Sequence, residues 1–412
     1  MSSRNNLLDP ARAPWLTAAD TRAVLEALMA DGKPARLVGG CVRDALAGRP
    51  VTDVDIATPE TPPRVIDLLR AAGLKAVPTG VEHGTVTAVV RGKPFEVTTL
   101  RRDVTTDGRH AVVAFTDDWT EDAARRDFTM NALSADPDGR VHDPFDGVAD
   151  LAAGRVRFVG EARARIREDV LRILRFFRFH AHYGKGAPDA DGLAACRELA
   201  PLLPRLSAER VATELLKLLK APDAAATVRL MREAGILAPI LAELGDIERL
   251  RVLQGIDDAA ARDPVLRLAA LLPDDPGVAG AVAERLRLSN AERQRLVAVA
   301  GPPTAFWPVH GEGGLRRALH RLGTPIVRDL GLLALARGDT ALGRPALAAV
   351  EAWRPVTLPV KGQDALDLGV PAGRRVGELI GAVERWWEEG DYRADRAACL
   401  AQLKSLVGKT TV

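Results

Sequence analysis

Cysteine, histidine and aromatic residues are scarce in this chain, and no long apolar run interrupts it. Three cysteines occur in 412 residues, Cys41, Cys196 and Cys399. So few, odd in number and widely spaced, they support neither a disulfide framework nor a zinc cluster. The seven histidines are scattered and suggest no metal site of their own. Aromatics make up 4%, too few for a sheet of rings that stacks bases. No apolar stretch reaches the roughly 18 residues of a transmembrane span. The opening MSSRNNLLDPARAPW has no apolar signal core, so secretion is not expected. The expected compartment is the cytoplasm, with no membrane attachment and no obligate protein partner. A net charge of +2 does not by itself announce a nucleic-acid binder.

What is present is unevenly distributed. Between Arg155 and Arg178 stand eight arginines against three acids, Glu161, Glu168 and Asp169. Such a local excess makes a positive surface on a nearly neutral chain, although an ordinary solvated helix face has the same composition. Length implies two to four domains. The first 145 residues alternate strand and helix signals, and later strand signals nearly vanish. Residues 16–31 read as one amphipathic helix with Thr17 as N-cap. A short buried strand then meets Gly39-Gly40, and a helix runs from Cys41 to a stop at Gly48. VTDVDIAT reads as a strand, 62–72 as a helix opened by Pro62-Pro63, and GTVTAVVRG with KPFEVTTLR as a hairpin. RRDVTTDGRHA lacks periodicity and reads as a loop; 120–134 reads as helix.

Five segments carry candidate chemistry. Gly39, Gly40, Arg43 and Asp44 sit between a strand and a helix. Bare glycine backbone lets N–H groups approach a phosphate, the helix N-terminus favours an anion, and Arg43 can contact a phosphate oxygen. Many such turns bind nothing, and Asp44 can simply pair locally with Arg43. Asp53 and Asp55 lie two apart on a predicted strand, so both carboxylates point to one side and can share divalent cations. An edge strand with two solvated acids looks the same. Glu96 on a later strand can complete a two-metal site and accept a proton from an attacking hydroxyl, but one glutamate proves little. Arg125, Arg126, Asp127 and Asn131 offer donors for phosphate and partners for ribose hydroxyls, or form the charged start of an amphipathic helix. Asp169, Arg172, Arg175 and Arg178 recur every three residues. On a helix they form a winding stripe in which Asp169 and Arg172 can pair, or can read a base edge together.

In this order the segments LVGGCVRDALAGRPVTDVDIAT, FEVTTLRRD, RRDFTMNAL, DPFDGVADL, EDVLRILRFFRF and RLSAERVATELLKLL resemble the class II tRNA nucleotidyltransferases, the CCA-adding enzymes and the bacterial poly(A) polymerases related to them. The resemblance covers about residues 37–219. It implies an α+β fold: a polymerase-β-like nucleotidyltransferase head with a mixed sheet (1–145), a helical neck with the nucleotide-selecting helix (146–220), and a helical, RNA-binding body and tail (221–412). It implies Mg2+ on Asp53 and Asp55 with Glu96 as third carboxylate, and the triphosphate on Gly40 and Arg43. Arg125 or Arg126, with Asp127 and Asn131, would position the nucleotide. Asp169 and Arg172 would bond the base edge of CTP or ATP, with Arg175 and Arg178 adding contacts in the same pocket. Arg172 has a fixed donor pattern, so selection rests on shape and hydrogen-bond polarity.

The segment Asp107-Gly108-Arg109-His110 resembles the flexible loop with which the family switches from CTP to ATP, which favours complete CCA addition to tRNA over a CC-adding product. His142-Asp143 is the only His-Asp dipeptide and falls in the turn before the neck, so no phosphohydrolase activity is expected. The chain ends at LVGKTTV without a basic extension, which favours tRNA over poly(A) synthesis; poly(A), CC-only and A-only products of the same chemistry are the nearest alternatives. Gly373-Arg374-Arg375 is a candidate phosphate contact that helix capping alone also explains. A non-catalytic RNA-binding scaffold is the reading from another class. It has no use for three unpaired carboxylates, which are costly once a metal is gone.

Overall fold

The computed structural model describes residues 7–11, 13–106, 111–301 and 311–408. The chain divides into two compact units, Met1–Ala242 and Glu243–Val412.

The first unit opens with α1 (Pro14–Thr17) and α2 (Ala19–Leu28). The single helix expected from residue 16 is therefore broken. Ala18 takes extended dihedrals and caps α2, while the Thr17 hydroxyl bonds back to the Pro14 carbonyl instead of capping. Next come β1 (Arg36–Val38), α3 (Gly40–Leu46), β2 (Asp55–Thr58), α4 (Pro62–Ala71), β3 (Lys75–Gly80), β4 (Thr85–Val90) and β5 (Lys93–Thr99). The expected hairpin is β4–β5, antiparallel with Val90 opposite Lys93. Its turn residues Arg91 and Gly92 both have positive φ, the twist-matching geometry of a two-residue hairpin. The segment 101–111, expected as a loop, instead holds β6 (Arg101–Thr106) and the start of β7 (Ala111–Phe115), which pair as a separate ribbon. β6 is held as a strand by its antiparallel pairing with β7. Asp107 and Arg109 lie outside the described residues.

Helix was expected over 120–134. Instead α5 (Trp119–Ala124) stops early, and Thr129–Asn131 form one 3-10 turn. The backbone between them pairs sideways. Thr129 N–H donates to Arg157 O at 2.9 Å, and Val159 N–H donates to Asp127 O at 3.0 Å. β8 (Ser134–Ala135) and β9 (Val141–His142) complete the main sheet, whose order is β3-β4-β5-β2-β1-β8-β9. β2 and β5 are parallel, and the other pairs are antiparallel. Val54, Ile56, Val86, Ala88, Phe95 and Val97 face the core under α2 and α4. By the two-residue period of strands, Asp55 and Glu96 therefore face the other side.

Helices follow: α6 (Gly147–Ala153), α7 (Ala162–Glu168), α8 (Leu171–Tyr183), α9 (Ala190–Leu199), α10 (Ala208–Leu219) and α11 (Ala224–Glu233). The few phenylalanines concentrate where α8 meets the segment after α5. Phe158 stacks on Phe176 with centroids 5.7 Å apart, and Phe128 lies 4.8 Å from Phe158 and 5.3 Å from Phe179. Aromatic pairs add to plain burial, so this cluster seats α8 on the head. Asp150 is fully buried and holds the junction, accepting from Arg155 Nε at 2.7 Å, Arg157 Nε at 2.8 Å and the Thr129 hydroxyl at 2.7 Å. Gly147 has to be glycine, since a Cβ would lie 2.2 Å from Thr129 O.

The second unit is helical among the described residues, from α12 (Ile247–Gln254) through α13 (Pro264–Ala270), α14 (Pro276–Arg285), α15 (Asn290–Ala300), α16 (Gly311–Ala336), α17 (Thr340–Ala352), α18 (Gly362–Asp367) and α19 (Arg374–Glu389) to α20 (Arg396–Gly408). α16 kinks at Gly323, just before Pro325. α18, α19 and α20 share a core of Ala365, Leu379, Val383, Trp387, Cys399 and Leu403. Gly373 caps α19, and Arg374 and Arg375 turn onto Glu378. No helix among the described residues is long and apolar enough to cross a membrane. The three cysteines are free and buried.

Candidate active site

The acidic side of the site follows from strand register. Asp55 and Glu96 are direct partners across the parallel β2–β5 pair. The strand expected over 51–58 begins only at Asp55, so Asp53 precedes it, outside the strand. The alternation still holds: Asp53 is exposed, Val54 buried, Asp55 half-buried and Ile56 buried. Among the described residues no Lys, Arg or His forms an ion pair with Asp53, Asp55 or Glu96; Asp53 accepts only from the Thr52 hydroxyl at 3.0 Å. The Asp55 carboxyl is pushed above the ordinary carboxylate range by burial, then by the charge of Glu96. Arg126 opposes this, and Asp53 adds to it. Three carboxylates that destabilise one another form an oxygen donor set fitting a hard divalent cation such as Mg2+.

The basic side is a cavity of 390 Å³ lined by Gly39, Gly40, Arg43, Arg126, Asp127, Asn131, Asp169, Leu171, Arg172, Arg175, Phe179 and Arg210. Gly39 opens α3 with φ +68°, and a Cβ there would stand 2.8 Å from Arg126 Nη1. The positive φ is what calls for glycine, since the Arg126 guanidinium ends a flexible side chain and can give way. A polar chain then crosses the cavity. Arg175 Nε donates to Asp127 Oδ2 at 2.6 Å, Asn131 Nδ2 to Asp127 Oδ1 at 2.9 Å, and Arg43 Nη1 to Asn131 Oδ1 at 2.6 Å. Burial raises the Asp127 carboxyl, but Arg175 and the Asn131 amide more than offset it, leaving it below its ordinary value. Asp127 is therefore a charged anchor for two donors. Arg126 reaches Asn131 O at 3.4 Å and Asp122 Oδ2 at 3.2 Å. It links the carboxylate side to the cavity.

Nine of the twelve expected nucleotide-binding residues line this cavity, and three do not. Arg125 pairs with Asp122 at 2.9 Å and offers its carbonyl to Arg165 and Arg172. Arg178 pairs with buried Glu214 at 2.5 Å. Asp44 accepts from Arg43 and from the Tyr183 hydroxyl. The expected stripe from Asp169 also needs correction. α7 ends at Glu168 and α8 begins at Leu171, so Asp169 lies in the break between them. Asp169 does not pair with the Arg172 side chain. It accepts from Leu171 N–H at 3.1 Å and from Arg210 Nη2 at 2.8 Å. Arg172 pairs with Glu168 at 2.6 Å and reaches Arg165 O and Arg125 O.

Arg210, Leu171 and Phe179 are the cavity residues that sequence reasoning missed. Arg210 stood in the matching stretch RLSAERVATELLKLL, but helix spacing alone does not aim it at Asp169. The eight-arginine run is not a bare cationic face either. Each of its arginines meets a carboxylate: Asp150 for 155 and 157, Glu198 for 163 and 167, Glu168 for 165 and 172, Asp127 or Glu214 for 175 and 178. Elsewhere, His320, Glu384 and Glu388 gather ligand atoms within 4.8 Å of one another, a grouping that scattered histidines did not suggest. Arg321 already grips both oxygens of Glu388, so the group reads as an ion-pair network.

The Poly A polymerase head domain family matches residues 35–157, and the family described as "Probable RNA and SrmB- binding site of polymerase A" matches 188–247. CCA tRNA nucleotidyltransferase 1, mitochondrial, of Danio rerio is 34% identical over 382 residues, covering 89% of this chain and 86% of that protein. The CCA-adding enzyme of Geobacillus stearothermophilus is 40% identical over 232 residues, 56% of each chain. The crystal structure of the Bacillus stearothermophilus CCA-adding enzyme in complex with CTP superposes with a TM-score of 0.77 at 30% identity, covering 95% of this chain and 98% of that one.

Proposed function

The chain belongs to the class II tRNA nucleotidyltransferase family of CCA-adding enzymes and related poly(A) polymerases, and from this premise we propose how its site works. The reaction is template-independent addition of CCA to the 3′ end of tRNA from CTP and ATP. The tRNA 3′ hydroxyl attacks the α-phosphorus of the nucleotide, a new ester bond forms, and pyrophosphate leaves. The observation that carries the assignment to residues is the register of Asp55 with Glu96 beside a guanidinium-lined cavity.

In this reading Asp53 and Asp55 hold Mg2+, with Glu96 as third carboxylate. When bound, the metal lowers the hydroxyl pKa and screens the triphosphate. Glu96 is exposed and takes the hydroxyl proton. The α3 N-terminus, Gly40 and Arg43 hold phosphate oxygens. Asp127 and Asn131 place the sugar, with Arg126 between sugar and metal. Asp169 and Arg172 read the base edge. Three of the five Arg172 N–H groups bond the protein, leaving the others for a base. Asp107 and Arg109 act in the CTP-to-ATP switch, residues 1–145 and 146–220 divide catalysis from nucleotide selection, and 221–412 binds RNA. Free thiols suit a reducing compartment, and we assign the cytoplasm.

The test is extension of a tRNA transcript lacking CCA, with nucleotides supplied singly and in pairs. Growth by exactly three residues that requires both CTP and ATP is expected. Growth by two with CTP alone and no further step would make the product CC, and an open ladder with ATP would make it poly(A). The Asp53→Ala/Asp55→Ala double variant should lose incorporation and keep tRNA affinity; surviving incorporation would sink the metal assignment.

A further inference from the structure

Arg43 and Asp44 are neighbours in α3, and adjacent helical residues do not normally face each other. Yet Arg43 clasps the Asp44 carboxylate with two parallel bonds, Nε to Oδ1 and Nη2 to Oδ2, both at 3.0 Å. Nη1 spends a third proton on Asn131. Of the five guanidinium N–H groups, two are left, and Arg43 lines the cavity. The direction of those two is set by the plane of the fork, and hence by the rotamer of Asp44.

What fixes Asp44 comes from far away in sequence. Tyr183 is the last residue of α8, and its hydroxyl donates to Asp44 Oδ1 at 2.5 Å. Its ring also carries two guanidinium groups, Arg43 at 4.6 Å and Arg49 at 4.2 Å from the centroid. Burial, foremost, raises the Tyr183 hydroxyl pKa above its ordinary value, so it remains a donor at neutral pH. Tyr183 does not line the cavity. It faces a second pocket of 350 Å³ with Leu46, Arg49 and Lys185.

We propose that Tyr183 is a positioning residue for nucleotide binding: by holding Asp44 it aims the two remaining Arg43 donors at the triphosphate. This rests on the reading that Arg43 holds the triphosphate. The phosphates are common to CTP and ATP, so Tyr183 sets affinity for both equally and leaves base choice alone. The arrangement also ties the α8 helix, which carries Arg172 and Arg175, to the phosphate-binding turn.

The experiment compares Tyr183→Phe, Arg43→Gln and the double variant in primer extension, with inorganic tripolyphosphate as a competitive inhibitor. Tyr183→Phe keeps the ring and its stacking, and removes one hydrogen bond to a charged group. It should raise KM for CTP and ATP by the same factor, about fivefold to tenfold, with kcat within about twofold. Tripolyphosphate inhibition should weaken in parallel. Arg43→Gln should weaken it more, and the double variant should be no worse than Arg43→Gln alone, because the two act as one unit. A Tyr183→Phe enzyme with unchanged tripolyphosphate inhibition, or one that loses only kcat or melting temperature, would overturn the proposal. So would full additivity with Arg43→Gln. If Arg43→Gln itself leaves inhibition untouched, the triphosphate reading fails first and takes this one with it. Should Tyr183→Phe fold poorly, Asp44→Asn tests the same link from the other end with the tyrosine in place, and the same equal rise in both KM values is expected.

Discussion

Replacing Asp55 by asparagine should make the metal-free protein more stable while ending its activity. Asp55 and Glu96 sit side by side on parallel strands, and neighbouring strands lie about 4.8 Å apart. Two like charges about 5 Å apart repel by about 3 kcal/mol at an effective dielectric near 20, and by about 0.8 kcal/mol in water. Asp55 is half-buried, but Glu96 is exposed, so the lower part of this range applies, about 1.5 kcal/mol. Among the described residues no cation forms an ion pair with either group, and the charge of Arg126 offsets the repulsion only in part. For a unit of 242 residues, each kcal/mol shifts Tm by about 2–4 °C. Asp55→Asn should therefore melt about 3–6 °C above the natural protein in EDTA. Adding Mg2+ should raise the Tm of the natural protein, since a ligand bound only by the folded state stabilises it, and should raise that of the variant far less. Scanning calorimetry with and without Mg2+, alongside single-turnover incorporation, measures all three. A variant that melts at or below the natural protein in EDTA, or keeps the full Mg2+ response, would refute the reasoning.

Other consequences concern the cavity and its supports. Arg210→Gln should loosen Asp169 and cut discrimination of CTP and ATP against UTP and GTP by roughly tenfold, with tripolyphosphate inhibition unchanged; misincorporation on a tRNA primer reports it, and intact fidelity would remove Arg210 from base selection. Asp150→Asn should cost about 2 kcal/mol in urea unfolding, less than a typical broken buried pair because its partners Arg155 and Arg157 are 51% and 41% exposed. A loss under about 0.5 kcal/mol, the size of an ordinary surface change, would show that Asp150 does not hold the junction. Asp127 has a folded pKa below its ordinary 3.8, so its stabilisation is present above that value and fades as pH falls through the depressed one. The stability gap between the natural protein and Asp127→Asn should stay constant from neutrality down to about pH 4 and close only below it; a gap already closing near pH 6 would contradict a charged anchor.

Residue order alone already determined a good deal. The short-range signals held where local chemistry decides: the α3 turn has Gly39 at positive φ, the β4–β5 hairpin has two such residues, and the two-residue period puts Asp55 and Glu96 on the face away from the core. The run of matching segments was enough to name the family. Local rules failed where a distant partner supplied the missing bonds. β6 is a strand because β7 pairs with it. The helix expected over 120–134 stops because residues 127–129 pair with 157–159. Asp169 belongs to Arg210, not to Arg172, because α10 delivers a fork that no helical spacing reveals. The arginine-rich run is neutralised by acids up to 48 positions away, such as Asp127 for Arg175. What only the tertiary structure decided is therefore which charges meet. Helix and strand periods fix where a side chain points along its own element, but ion pairs form between elements, and their choice waits on packing.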